Sequence, residues 1–177
     1  QRQSWTTAGL LAGVAGLVRP NGLFLAAGLI LLFVLTQRPR AAREWLRGLP
    51  LLLPVVSAGL YFAYLRAITG SWTTWSNAQT EFWERSLVDP ITSLRNTYEL
   101  IWTFSPTGEP SSRMVTEIIA MAILVGVTVL IAIKRWWPEA LYSGVTALSL
   151  GTSTMYHSVP RTLIVVFPLW VLLGAWL

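Results

Sequence analysis

Long apolar runs separated by short polar stretches dominate the chain. A helix needs roughly 20 residues to cross a hydrocarbon core about 30 Å thick, and several of the runs approach that length. This pattern predicts an all-α integral membrane protein with about six transmembrane helices. The shorter runs would cross obliquely or end inside protein. The six runs are residues 5–18, 23–35, 49–68, 114–133, 140–153 and 163–177.

One polar stretch, residues 70–113, is long enough to fold outside the membrane. Its aromatic residues between 72 and 83 are spaced to fit one face of an interfacial helix. A second helix is predicted from Asp89 as N-cap and Pro90 as first residue, ending before Ser105. The stretch is therefore expected to be an outer segment that carries short interfacial helices.

Composition and charge narrow the class of protein. Hydrophobic residues make up 54% of the chain and charged residues only 12%, which is unusual for a soluble domain. Cysteine is absent, so disulfides and cysteine-ligated metals are excluded. The net charge is +5, but the basic residues form no stripe, and nucleic acid is not an expected partner.

The distribution of basic residues predicts the orientation in the membrane. If the six runs alternate as spans, Arg2, the arginines of residues 38–47 and the pair Lys134 and Arg135 share one side. That side is interpreted as cytoplasmic, so the 70–113 segment faces outward. The chain does not begin with Met and ends within an apolar run. We therefore expect residues 1–177 to be a C-terminal or internal part of a larger polytopic domain.

Two groups of cations lie at the predicted outer surface. Arg19, with Asn21, interrupts the first two runs, while His157 and Arg161 precede the last run. The arginines could be lipid anchors whose side chains reach the head groups, and a lone histidine is more often a packing residue than a ligand. A cation near hydrocarbon is costly unless it is partnered, however, and guanidinium pairs well with phosphate. The alternative is a site for an anionic lipid head group.

A third polar group lies on the predicted interfacial helix and comprises Asn77, Gln79, Glu81 and Trp83. It is either a solvated face or the wall of a sugar site, in which a Trp ring would stack on a pyranose.

The acidic residues of this helix do not indicate a known mechanism. Glu81 and Glu84 could pair with Arg85, and their spacing is not typical of paired catalytic carboxylates. No nucleotide, nucleophile-elbow or metal motif is present. The chain therefore carries no complete catalytic set.

Three segments resemble the GT-C-fold glycosyltransferases, and among them the bacterial members of the PIG-V, or GPI mannosyltransferase 2, family. They are AGLLAGVAGLVRPNGLFLA, YFAYLRAITGSWTTWSNAQTEFWER and HSVPRTLIVVFPLWVLLGAW. Similar elements in that family are an Arg-Pro-Asn-Gly turn, an aromatic outer segment with a Gln, and a Pro-Arg dipeptide. The matching positions here are Arg19–Gly22, Gln79 with Trp83 and Arg85, and Pro160–Arg161.

The resemblance implies inverting transfer of a mannosyl residue from a polyprenyl-phosphate-linked donor to a lipid, protein or glycan acceptor outside the membrane. A phosphate leaving group needs no general acid, so one carboxylate base and cations suffice. The family places that base upstream of residue 1, so the catalytic residues here are unknown and the fragment alone is expected to be inactive. The donor phosphate is assigned to Arg19, Arg161 and His157, and the sugar or acceptor to Asn21, Asn77, Gln79, Glu81 and Trp83.

The expected partners are the lipid donor and membrane lipids, with no certain cofactor and a divalent metal left open. The single Lys beside many Arg and Trp indicates a high-GC coding sequence and so a bacterial plasma membrane. Two alternatives remain. A transporter segment would use interrupted spans but has only Glu117 as an acid within a run. A non-catalytic scaffold would bind a partner protein through the Trp-rich segment.

Overall fold

A computed structural model describes residues 4–18, 22–103 and 109–175. These residues are helical and contain no strand beyond one isolated bridge, between Leu87 and Ser153, which confirms the predicted all-α class. A 3₁₀ helix, Leu46–Leu52, joins the third and fourth α-helices. The α-helices are α1 Trp5–Val18, α2 Gly22–Gln37, α3 Ala42–Trp45, α4 Leu53–Thr69, α5 Thr74–Trp83, α6 Pro90–Thr103, α7 Ser112–Ile133, α8 Trp137–Gly151, α9 Val159–Val165 and α10 Phe167–Gly174.

Two helices are long and apolar enough to cross a membrane by length and composition. They are the continuous helical segment Ala42–Thr69 and α7. Helices α1, α2 and α8 contain 14, 16 and 15 residues, which is less than a straight crossing requires. The prediction of six transmembrane helices is therefore not supported by the described residues.

The last predicted run, residues 163–177, is divided between α9 and α10. Pro168 has no N–H to donate to the Ile164 carbonyl and cannot continue a helix that began before it. The indole Nε1–H of Trp170 donates to that carbonyl instead, at 2.9 Å. Pro168 thus ends α9 and lies in the first turn of α10, although it stands within an apolar run.

Helix α7 buries one stripe and exposes another that is equally apolar. Leu124 and Ile131 are fully buried, whereas Ile119, Val129 and Ile133 are about half exposed or more. Exposed apolar surface of this extent is typical of a face that meets lipid or a partner.

The chain divides into two compact units. The first unit comprises Gln1–Asn77 and Trp137–Tyr142, and its described part centres on α1 packed against α4 and the 3₁₀ helix. A Cβ atom on Gly9 would lie 2.2 Å from the Pro50 carbonyl oxygen, and one on Gly13 would lie 3.1 Å from the Leu53 Cβ. Small residues on α1 therefore allow the close backbone approach that is typical of helix pairs in membranes.

The second unit comprises Ala78–Trp136 and Ser143–Leu177. Within it, α6, α9 and α10 pack on α7. Helix α6 begins as predicted, because one carboxylate oxygen of Asp89 accepts the N–H groups of Ile91 and Thr92, each at 3.0 Å. These hydrogen bonds, led by those from Thr92, hold the pKa of the Asp89 carboxyl below its usual value.

Candidate functional site

Polar side chains of the second unit gather around residues 152–158, which join α8 to α9 and are called the α8–α9 loop here. The segment after α5 pairs with this loop through its backbone. The Val88 N–H donates to the Thr152 carbonyl at 2.9 Å, and the Ser86 N–H donates to Thr154 Oγ1 at 2.8 Å. The loop is therefore fastened to a segment almost seventy residues earlier in the chain.

Helix α6 fastens the same loop from a second direction. The Asn96 side-chain amide donates to the Thr154 carbonyl at 2.8 Å, and the Tyr156 N–H donates to Thr97 Oγ1 at 2.8 Å. Thr97 is fully buried, and its own hydroxyl donates to the Ser93 carbonyl at 2.7 Å. Buried backbone groups of the loop are thus paired with side chains, as irregular backbone in an interior requires.

Helix α7 holds the end of the loop through one carboxylate. The two oxygens of Glu117 accept the N–H groups of Ser158 and Val159 at 2.9 and 2.8 Å. These N–H groups belong to the start of α9, where the first turn of a helix leaves donors without partners. Glu117 is only 5% exposed, so its charge is compensated by these donors rather than by water.

Several polar atoms on or beside the loop are buried and have no hydrogen-bond partner within the described chain. They are Arg85 Nε, Ser93 Oγ, Ser153 Oγ and His157 Nδ1. An unpaired buried donor costs about 1–3 kcal/mol, so four in one region of a structure require an explanation. Ordered water or a polar ligand can supply the hydrogen-bond partners of such atoms.

The charges around His157 are mainly positive. Burial lowers the pKa of its imidazole, Arg85 and then Arg113 lower it further, and only Glu117 acts in the opposite direction. The ring is therefore neutral at pH 7, with one nitrogen able to donate and the other able to accept. A neutral histidine beside two guanidinium groups favours an anionic ligand.

The arrangement suits the binding of an oxyanion. Guanidinium presents donors in a planar fork, and hydrogen bonds to a charged oxygen are stronger than neutral ones. A general base is a less suitable role for Glu117, because both of its oxygens already accept hydrogen bonds. Among the described residues, no group of three or more His, Asp or Glu side chains could hold a metal ion.

The lowered pKa of His157 predicts how stability depends on pH. The unfolded chain takes up a proton near pH 6.5, before the folded protein does, so folding loses free energy as the pH falls below that value. We expect the midpoint temperature of thermal unfolding in detergent to be lower at pH 5.5 than at pH 7.5. The substitution His157→Gln should make that difference smaller. An identical pH response in the variant would contradict the buried, cation-flanked setting of the ring.

The predicted donor-phosphate residues have different outcomes. Arg19 and Asn21 lie outside the described residues. Arg161 is exposed on the first turn of α9, and it is not among the charges that shift His157. His157 itself lies in the α8–α9 loop, where the charges of Arg85 and of the exposed Arg113 lower its pKa.

The predicted sugar-binding residues lie on α5. Asn77, Glu81 and Trp83 are exposed, whereas Gln79 is partly covered. The Gln79 carbonyl accepts the Arg85 N–H at 2.9 Å, which orients the backbone just after the helix. Their assignment to a sugar or acceptor stays a prediction.

Arg85 makes no ion pair with Glu81 or Glu84 in the part of the chain that the structure describes. The alternative pairing that the sequence suggested is therefore absent there. Glu84 adopts a left-handed conformation with φ 51°, which directs the chain away from α5 and toward the α8–α9 loop pairing.

Sequence reasoning missed the roles of Arg113 and Glu117. Both lie at the start of the apolar run of α7, four residues apart, so they share one face of the helix. Ionisable residues at the edge of an apolar span are functional candidates by default, and that signal was available in the sequence.

Comparison with known proteins adds no family. The chain matches no family model, no curated protein and no solved structure. The resemblance to GT-C glycosyltransferases thus stays a prediction.

Proposed function

We propose that the protein is a multi-pass membrane glycosyltransferase component that binds the phosphate of a polyprenyl-phosphate-linked sugar at the α8–α9 loop. One observation carries the proposal: Arg85 Nε and His157 Nδ1 are buried, have no hydrogen-bond partner among the described residues, and belong to one positively charged polar group. Two phosphate oxygens would accept hydrogen bonds from these atoms. We assign to Arg85 and Arg113 the phosphate-binding role that the sequence predicted for Arg161.

The position of Arg113 and Glu117 on α7 supports a lipid ligand. No charged residue follows them until Lys134, so they lie at one end of an apolar helix long enough to cross a membrane. In a bilayer that end lies near the head-group region, where the phosphate of a polyprenyl lipid also lies. The apolar tail would remain in the hydrocarbon.

In the transfer reaction, this site has to supply positive charge to the departing phosphate. As the glycosidic bond to phosphate breaks, negative charge grows on the departing phosphate, and fixed guanidinium groups stabilise it. The acceptor must lose a proton to a base. Both oxygens of Glu117 accept backbone N–H groups, so we expect a different residue to act as the base.

The test uses the full-length protein in proteoliposomes with a radiolabelled polyprenyl-phosphate mannose. Transfer of label to a lipid, protein or glycan acceptor is expected, and Arg113→Ala should reduce it about tenfold, because a charge-assisted hydrogen bond is worth about 1.5–3 kcal/mol. The exposed Arg66→Ala on α4 is the control. Donor binding without transfer would favour a non-catalytic lipid-binding protein, and no binding would contradict the proposal.

A further inference from the structure

We infer that Glu117 is a positioning residue, which holds the α8–α9 loop so that His157 faces the anion site. The inference rests on the proposed function, because it concerns the same site. At the proposed site Glu117 touches no ligand and acts through the backbone N–H groups of Ser158 and Val159.

The first step is the geometry of the carboxylate. Each oxygen of Glu117 accepts one backbone N–H, from Ser158 at 2.9 Å and from Val159 at 2.8 Å. Two bonds from one rigid carboxylate fix both the distance and the rotation of that peptide segment. A buried carboxylate is tolerated only where such donors compensate it, so the pairing is maintained strongly in the fold.

The second step is the conformation of Ser158. Its φ is 60°, in the left-handed region that is strained for a residue with a Cβ atom. Strained conformations persist only where the surroundings hold them. The Ser158 carbonyl accepts two hydrogen bonds from Thr162 within α9, each at 3.0 Å. On the N–H side, the two hydrogen bonds to Glu117 at Ser158 and Val159 hold the backbone from outside α9.

The hydrogen bonds to Glu117 also act on the candidate site. His157 directly precedes Ser158, so the direction of the imidazole depends on the backbone that Glu117 holds. Arg113 lies one helical turn before Glu117 on α7. One face of α7 therefore supplies both Glu117, which holds the loop, and Arg113, whose charge acts on His157.

The test measures His157, which is the only histidine in the chain, by NMR of its imidazole in detergent micelles. The variants are Glu117→Asp, which keeps the charge but is one methylene shorter, and Glu117→Gln, which keeps the shape but replaces one acceptor with a donor. Glu99→Gln is the matched control, because the Glu99 side chain is 57% exposed and pairs with Arg95 on the surface of α6, at 2.8 Å. Inorganic phosphate is the probe.

Both Glu117 variants are expected to raise the pKa of His157 toward 6.5, because a released loop exposes the ring to water. Their phosphate affinity should fall about tenfold or more, and Glu99→Gln should match the parent protein. Removal of the Glu117 charge alone, without release of the loop, would lower the pKa of His157 further. A lower pKa of His157 in the Glu117 variants would therefore overturn the inference. So would a Glu117→Asp variant whose His157 pKa and phosphate affinity equal those of the parent protein.

A rescue variant separates positioning from loss of fold. Glycine adopts φ 60° without strain, so Ser158→Gly in the Glu117→Asp background should recover part of the phosphate affinity. A helical, monodisperse double variant with no recovery would overturn the role of the loop backbone. If phosphate fails to shift His157 in the parent protein while the Glu117 variants still raise its pKa, the proposed function fails, and only the part of the inference that concerns the hold of Glu117 on the loop stands.

Discussion

Arg85→Ala is expected to weaken donor binding by the full-length protein about ten- to a hundredfold. The Nε of Arg85 is buried beside His157 and has no partner among the described residues, so a phosphate oxygen would take up its full donor strength. Hydrogen bonds to charged groups contribute about 1.5–3 kcal/mol, which corresponds to that range of affinity. Binding of a fluorescent polyprenyl phosphate in nanodiscs measures the effect.

A lysine at the same position tests the geometry as distinct from the charge. Arg85→Lys keeps the positive charge but lacks the planar fork, so we expect an affinity between those of the parent and the alanine variant. Arg95→Ala is the matched control, because the Arg95 side chain is 77% exposed and pairs with Glu99 on the surface of α6. Equal losses in the Arg85 and Arg95 variants would indicate a diffuse electrostatic effect and contradict a defined site.

Gly9→Ala is expected to destabilise the first unit by about 1–3 kcal/mol, the usual cost of overpacking. The added Cβ would lie 2.2 Å from the Pro50 carbonyl oxygen, which is backbone and cannot move aside as a flexible side chain could. Helix α1 or the 3₁₀ helix would have to shift. Chemical unfolding in detergent, followed by far-UV circular dichroism, measures the change in the free energy of unfolding.

Gly59→Ala on α4 provides the control for this prediction in the same unit. A Cβ there meets nothing within 4 Å, and alanine stabilises a helix interior by about 0.5–1 kcal/mol relative to glycine. The two substitutions are chemically identical, so opposite signs isolate the close contact of α1. Equal effects would show that α1 does not pack on the 3₁₀ helix in the way described.

Local patterns were sufficient to predict those features that depend on neighbouring residues. The start of α6 followed from Asp89 and Pro90, because an N-cap and its helix lie within one turn. The all-helical class followed from the length and composition of the apolar runs. The same argument predicted six spans, whereas the described residues contain two helices that are long and apolar enough to cross a membrane. Run length alone does not show, for example, that Pro168 divides the last run.

The candidate site was decided by contacts that no local pattern reveals. His157 was a candidate from its residue type and its place before an apolar run, but its neighbours Arg85 and Arg113 come from distant parts of the chain. They meet because backbone and side-chain hydrogen bonds join residues 86–88 and α6 to the α8–α9 loop. Hydrogen bonds of this kind depend on how whole helices pack, so only the tertiary structure could bring these cations together.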